Sequence, residues 1–134
     1  MTYWNDSLLT GVALIDDEHR KLFEVIDRLM EACRLGTNRA EIGHTLNHAV
    51  ALTKEHIRVE ENLQARCSYP GINAHKRLHA QFILSIDEIV REHEETGPNV
   101  ALTGKLNSTL VDWLSSHISV DDKKMCAYIK KAGG

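Results

Sequence analysis

His56 and Glu60 stand four residues apart, and so do His75 and His79. That spacing brings two side chains onto one face of a helix, where an imidazole and a carboxylate, or two imidazoles, can grip a metal ion together. The chain carries eight histidines in 134 residues, where average usage would give about three. Their positions are more telling than their number. Apolar residues recur at steps of three and four, and extending each stripe meets polar residues where hydrocarbon is expected: Ile15, His19, Leu22, Ile26; then Ala49, Thr53, His56, Glu60, Leu63; then Ile72, His75, His79, Phe82; then Leu110, Trp113, His117, Val120.

Depth along the helices gives an independent reading. His19 and His56 lie at similar distances either side of Gly36-Thr37, and His79 and His117 do the same around Gly97-Pro98. The turn at Tyr69-Pro70-Gly71 brings Glu60 and His75 to the same end. Five imidazoles and a carboxylate therefore converge in one layer, and burying them without partners would cost several kcal/mol. A hydrogen-bonded polar layer could satisfy any one of them; the set, sharing face and height, points to metal. Five imidazoles are too many for one tetrahedral zinc, and no cysteine lies in the layer. Two metal ions are implied, with Glu60 as a natural bridge. Asp122 or its neighbour Asp121 could supply a second bridging carboxylate, and spacing leaves the two open.

The elements that position these residues are helices broken at Gly36-Thr37-Asn38, Tyr69-Pro70-Gly71 and Gly97-Pro98-Asn99. The first is expected to start at Asp16 as N-cap and to carry Leu22, Ile26, Leu29 and Cys33 inward. The second starts at Asn38, with Glu41 placed for a capping-box-like pair, and carries Ile42, Leu46 and Ala49. The third carries Phe82, Ile86 and Ile89, and the fourth, after Asn99, carries Leu102, Leu106, Leu110 and Leu114. Short connections between long amphipathic helices give an all-α, antiparallel up-down-up-down four-helix bundle spanning residues 1–134 as a single domain. An irregular N-terminal arm, anchored by Trp4, precedes it, and a short C-terminal helix, capped by Ser119 and holding Met125 and Ile129, ends it.

Composition excludes several classes. The net charge of -3 is spread along the chain, with no basic block to meet nucleic acid. No signal-peptide pattern opens the sequence and no stretch has membrane-spanning length, so a soluble cytoplasmic protein is expected. Cys33, Cys67 and Cys126, odd in number and widely spaced, read as reduced thiols. His44 and His48 are read as solvent-facing, His93 as a packing residue at the bundle end, Cys67 as a buried structural thiol, and Glu61 as rotated off the inward face and solvated.

The motifs Gly11 to Ile15-Asp16-Asp17-Glu18-His19, His56-Ile57-Arg58-Val59-Glu60-Glu61, His75-Lys76-Arg77-Leu78-His79 and Trp113-Leu114-Ser115-Ser116-His117-Ile118 with Asp122, together with Trp4, resemble the hemerythrins over essentially the full length, and among them the single-domain bacteriohemerythrins. The resemblance implies two iron ions under an oxo or hydroxo bridge: His75, His79 and His117 on one, His19 and His56 on the other, Glu60 and Asp122 spanning both. It favours Asp122 over Asp121. Counting donors then leaves one position open on the iron with two histidines. There the resemblance implies reversible binding of molecular oxygen, for storage, delivery or sensing, by a non-enzymatic monomer. Leu114 matches an oxygen-pocket position, while Ile57 stands where the family usually has Phe. The alternatives are a di-iron redox enzyme handling peroxide or nitric oxide, and an iron or oxygen sensor module. Oxygen-activating bundles rely on carboxylates in Glu-x-x-His pairs, a pattern the inward stripes here lack.

Overall fold

The structure, a computed structural model, describes residues 3–132. Helices α1 (Ala13–Leu35), α2 (Arg39–Arg66) and α3 (Ile72–Thr96) are single rods. The fourth rod is composite. It runs through α4 (Val100–Leu106), a π-helical segment (Asn107–Trp113), one α turn, α5 (Leu114–His117), a second π-helical segment (Ile118–Asp122), and α6 (Lys123–Lys131). Backbone angles at every junction stay right-handed helical, so the rod is continuous.

The breaks between rods have local causes. Asn38 accepts the Glu41 backbone N–H at 2.8 Å and starts α2, and Asn99 accepts that of Leu102 at 2.8 Å and starts α4. Gly36, at φ 67°, ends α1 in a left-handed conformation that glycine adopts at little cost. Connections this short force neighbouring rods to run antiparallel. Accordingly α1 packs on α2, α2 on α3, α3 on α4, and α4 with the first π segment back on α1. The fold is the expected four-helix bundle, and no helix among the described residues is long and apolar enough to cross a membrane.

Two local expectations are corrected. Helix α1 begins at Ala13 rather than at Asp16, and Asp16 lies in its first turn, buried. Its carboxylate accepts the Thr10 N–H at 2.8 Å, the Thr10 hydroxyl at 2.7 Å and the Gly11 N–H at 3.1 Å, so it satisfies the arm's backbone instead of capping the helix. The final helix exists, but Ser119 does not cap it; Ser119 is exposed within the second π segment, and the chain passes through without a break. Trp4 anchors the arm as expected, its ring 5.9 Å from that of Phe23 and under the Arg20 guanidinium at 5.5 Å.

The apolar interior is divided. A large cluster contains Leu22, Phe23, Ile26, Leu46, Phe82, Ile86, Leu106, Leu110, Leu114 and Ile118; a small one contains Ile15, Tyr69, Met125, Cys126 and Ile129. Along α1, α3 and the fourth rod, members of the two clusters flank the same stretch. That stretch holds the histidines.

Candidate metal centre

All seven residues singled out as donors are buried: His19 and Glu60 at 0 % exposure, Asp122 at 1 %, and His56, His75, His79 and His117 at 3–6 %. Helix α1 supplies His19, α2 supplies His56 and Glu60, α3 supplies His75 and His79, and the fourth rod supplies His117 and Asp122. They form two overlapping groups. Glu60, His75, His79, His117 and Asp122 each offer an atom within 4.8 Å of the others, and so do His19, His56, Glu60 and Asp122.

The carboxylates divide their oxygens between the groups. Glu60 Oε2 faces His56 Nε2 at 2.6 Å and His19 Nε2 at 3.6 Å, while Oε1 faces His75 Nε2 and His79 Nε2 at 3.2 Å each. Asp122 repeats the division: Oδ2 lies 3.2 Å from His19 Nε2, and Oδ1 lies 2.9 Å from His75 Nε2 and 3.1 Å from His117 Nε2. Each carboxylate thus spans both imidazole groups.

The second π segment explains why Asp122, and not Asp121, reaches this place. In an α-helix a residue five positions on is rotated by about 140°, so Asp121 would follow His117 inward and Asp122 would not. A π turn inserts one extra residue into the ladder. Asp122 then takes the inward position, and Val120, expected on the inner stripe, is turned out at 63 % exposure. The sequence left the two aspartates open because no residue type announces a π turn.

Three carboxylates hold the imidazoles from outside, a role the sequence reading gave to none of them. His56 Nδ1 lies 2.7 Å from Glu18, His79 Nδ1 lies 2.8 Å from Glu61, and His117 Nδ1 lies 3.0 Å from Asp121. Glu61 is therefore a partner of His79, not the solvated residue expected. An acceptor at Nδ1 keeps the proton there and leaves the Nε2 lone pair for the centre. A signal existed: each of the three is the sequence neighbour of an inward donor, Glu18 beside His19, Glu61 beside Glu60, and Asp121 beside Asp122.

The donors fit a pair of metal cations on the structure's own terms. His19 Nε2, His56 Nε2, both Glu60 oxygens and Asp122 Oδ1 are buried without a hydrogen-bond partner, and His75 Nε2 and His117 Nε2 face each other at 3.0 Å. Lone pairs converging in a dry interior need a positive charge. In the metal-free chain protons supply it. Burial pushes against charge on His56, but the carboxylates of Glu18 and Glu60 outweigh burial and raise it to about 10; Asp122 and Glu60 likewise outweigh burial at His75 and raise it to about 9. His19 is raised for the same reason, against its burial, by Asp122 and Glu60. Burial would raise Glu60 and Asp122, yet the surrounding imidazoles hold both below the usual carboxylate range.

The other singled-out residues lie elsewhere. His44 and His48 are exposed, and His93 is buried at 6 % beside Gly43, a packing position as expected. Cys67 is half-buried against the small apolar cluster.

Comparison with known proteins agrees with this geometry. Residues 10–129 match the family described as hemerythrin HHE cation binding domain. A bacteriohemerythrin of Stenotrophomonas maltophilia is 32 % identical over 127 residues, covering 95 % of this chain and 80 % of its own length. That of Pseudomonas aeruginosa is 34 % identical over 119 residues, covering 89 % and 75 %. That of Campylobacter jejuni is 31 % identical over 133 residues, covering 98 % and 97 %. A match of this extent, over a chain whose buried donors come from all four rods, places it: the chain belongs to the hemerythrin family.

Proposed function

We propose that this chain holds two iron ions under an oxo or hydroxo bridge and binds molecular oxygen there reversibly, as a store, carrier or sensor and not as an enzyme. In this reading His75, His79 and His117 hold one iron, His19 and His56 the other, and Glu60 and Asp122 span both. The carrying observation is the division of Glu60 and Asp122, one oxygen of each to the three-histidine group and one to the two-histidine group. Iron, when bound, supplies electrons that can be lent to oxygen and taken back. The side chains do the rest.

Unequal donor numbers leave the His19 and His56 side one imidazole poorer, which makes room for a small ligand on that side. Glu18, Glu61 and Asp121 keep protons at Nδ1, so the inward nitrogens stay available as donors. Leu114, 5 % exposed and one turn before His117, and Ile57, 8 % exposed and next to His56, belong to the large apolar cluster. They supply a hydrocarbon wall that keeps bulk water from the ligand, with Leu114 as the oxygen-pocket residue. Ile57 gives that wall a branched aliphatic surface in place of a flat ring. The bundle acts as one domain, because all four rods contribute donors and none can be removed without opening the layer.

The test is metal content and the ultraviolet-visible spectrum of the protein reduced without oxygen, then exposed to air, then purged. About two irons per chain, with a charge-transfer band that rises in air and fades on purging, is the expected result. Two irons that pass directly to a stable oxidised form would overturn reversible binding in favour of a redox enzyme or sensor. Fewer than two irons would overturn the paired centre.

A further inference from the structure

His117 has polar contacts at both ring nitrogens. Its Nδ1 faces Asp121 at 3.0 Å and its Nε2 faces Asp122 at 3.1 Å and His75 at 3.0 Å. The ring turns about its Cβ–Cγ bond, and one of the contacts that resist this turn is weak, because the Asp121 side chain is 37 % exposed, where water competes for it. Contact with a face of the ring adds to the hold on its plane. The edges of His75 and His79 meet it at 87° and 70°, touching without covering a face.

Trp113 covers one. Its ring lies 4.9 Å from that of His117 at an interplanar angle of 13°, and its other side stacks on Phe82 at 4.4 Å and 10°. Phe82 is 3 % exposed and part of the large apolar cluster, so it cannot retreat. Three flat rings thus stand in a column from the core to the inward layer. Among the described residues no other donor imidazole has a ring stacked in parallel on it. The register comes from the fourth rod: Trp113 ends the first π segment, His117 ends the single α turn that follows, and the four-residue spacing across that turn sets the indole against the imidazole.

From this column we infer that Trp113 is a positioning residue, whose indole fixes the plane of His117 and thereby the affinity of the three-histidine position for a divalent cation. The inference rests on the metal reading above, adding to it a residue that touches no metal. What it requires of position 113 is a flat face, not apolar bulk. Trp113 is half-buried and its outer edge lines a cleft of about 200 Å³ with Gln81, Ser85 and Ser108, so a smaller side chain opens toward solvent rather than leaving a closed void.

The experiment compares Trp113→Phe and Trp113→Leu with the parent chain by anaerobic titration of the metal-free protein with cobalt(II), following affinity and the rate of cobalt loss to a chelator. Groups that orient a ligating histidine are worth about 10- to 100-fold in affinity. Trp113→Leu is expected to weaken the tighter cobalt by about that factor, and Trp113→Phe to stay within about threefold of the parent. A Leu variant that binds as tightly as the Phe variant would overturn the inference, as would a Phe variant as weak as the Leu one. A second readout needs no change at position 113: in Trp4→Phe, Trp113 is the sole tryptophan, and its emission must change with the first equivalent of cobalt. Unchanged emission overturns the inference too. A parent chain that takes up neither cobalt nor iron defeats the metal reading itself, whereas a Trp113→Leu variant that binds cobalt as tightly as the parent defeats only this one.

Discussion

Loading the metal-free chain with a divalent cation must expel protons, and the structure names groups that release them. His56 is raised to about 10 and His75 to about 9, because buried carboxylates outweigh the cost of burial at both. At pH 7 both rings carry a proton in the metal-free chain, on or facing the very nitrogens that must donate. Glu60 and Asp122, held low by the same imidazoles, are already ionised and release nothing. At least these two protons therefore leave at pH 7, and apparent affinity climbs by about a hundredfold or more per pH unit from pH 7 to 8. The assay is calorimetric titration with cobalt(II) under argon in buffers of different ionisation enthalpy at one pH, where the slope of apparent enthalpy against buffer enthalpy counts the protons. Repeating it at pH 7 and 8 tests the climb. A zero slope, or equal affinity at both pH values, would refute the reasoning, since it would mean that the metal-free centre is already neutral at its donor nitrogens. The same shifts fix a stability profile. A histidine raised above its unfolded value near 6.5 stabilises fully below that value and loses its contribution as pH rises through 9 and 10. The melting midpoint of the metal-free chain should fall over that alkaline range, and that of the loaded chain should not.

Asp122→Asn leaves one carboxylate-type oxygen where two are needed, so it is expected to retain at most one ion per chain; Asp121→Asn keeps both ions and weakens binding by about 10- to 100-fold, as metal analysis and titration would show. Gly43→Ala places a Cβ 2.9 Å from His93 Cε1, and because His93 is buried and Arg39 ties its carbonyl, the ring cannot yield freely. A loss of about 1–3 kcal/mol in urea unfolding is expected, partly recovered by adding His93→Ala. Asp16→Ala strips the acceptor from the Thr10 and Gly11 donors, costing about 1–3 kcal/mol in the same assay and freeing the arm to early proteolysis.

The sequence was most legible where one physical requirement acts alone. Rods and turns followed from apolar spacing and from Asn38, Asn99 and the Gly-containing breaks, because burial and capping are local demands. The inward polar set was legible for the opposite reason: His19, His56, Glu60, His75, His79 and His117 break an apolar stripe, and a broken rule marks a site. Asp16 misled because an aspartate near a helix start has two uses, and only the path of the arm decides between the cap and the anchor. The fourth rod misled because its two π segments leave no compositional trace, so Val120 was turned inward and Ser119 was made a cap.

The outer carboxylates show how the centre depends on assembly. Glu18 on α1 holds His56 of α2, and Glu61 on α2 holds His79 of α3. Each is the sequence neighbour of an inward donor on its own helix, so one short stretch of chain both offers a donor and orients the donor of the next helix. Displacing α1 would cost the centre His19 directly and His56 by loss of its holder. Displacing α2 would cost His56 and Glu60 directly and His79 in the same indirect way. A site built with this overlap gains little from partial folding, because no pair of helices contains both a complete set of three imidazoles and all their holders. A cation bound there would be held only by the assembled bundle, and its binding energy would add to the stability of the whole bundle rather than of any single helix.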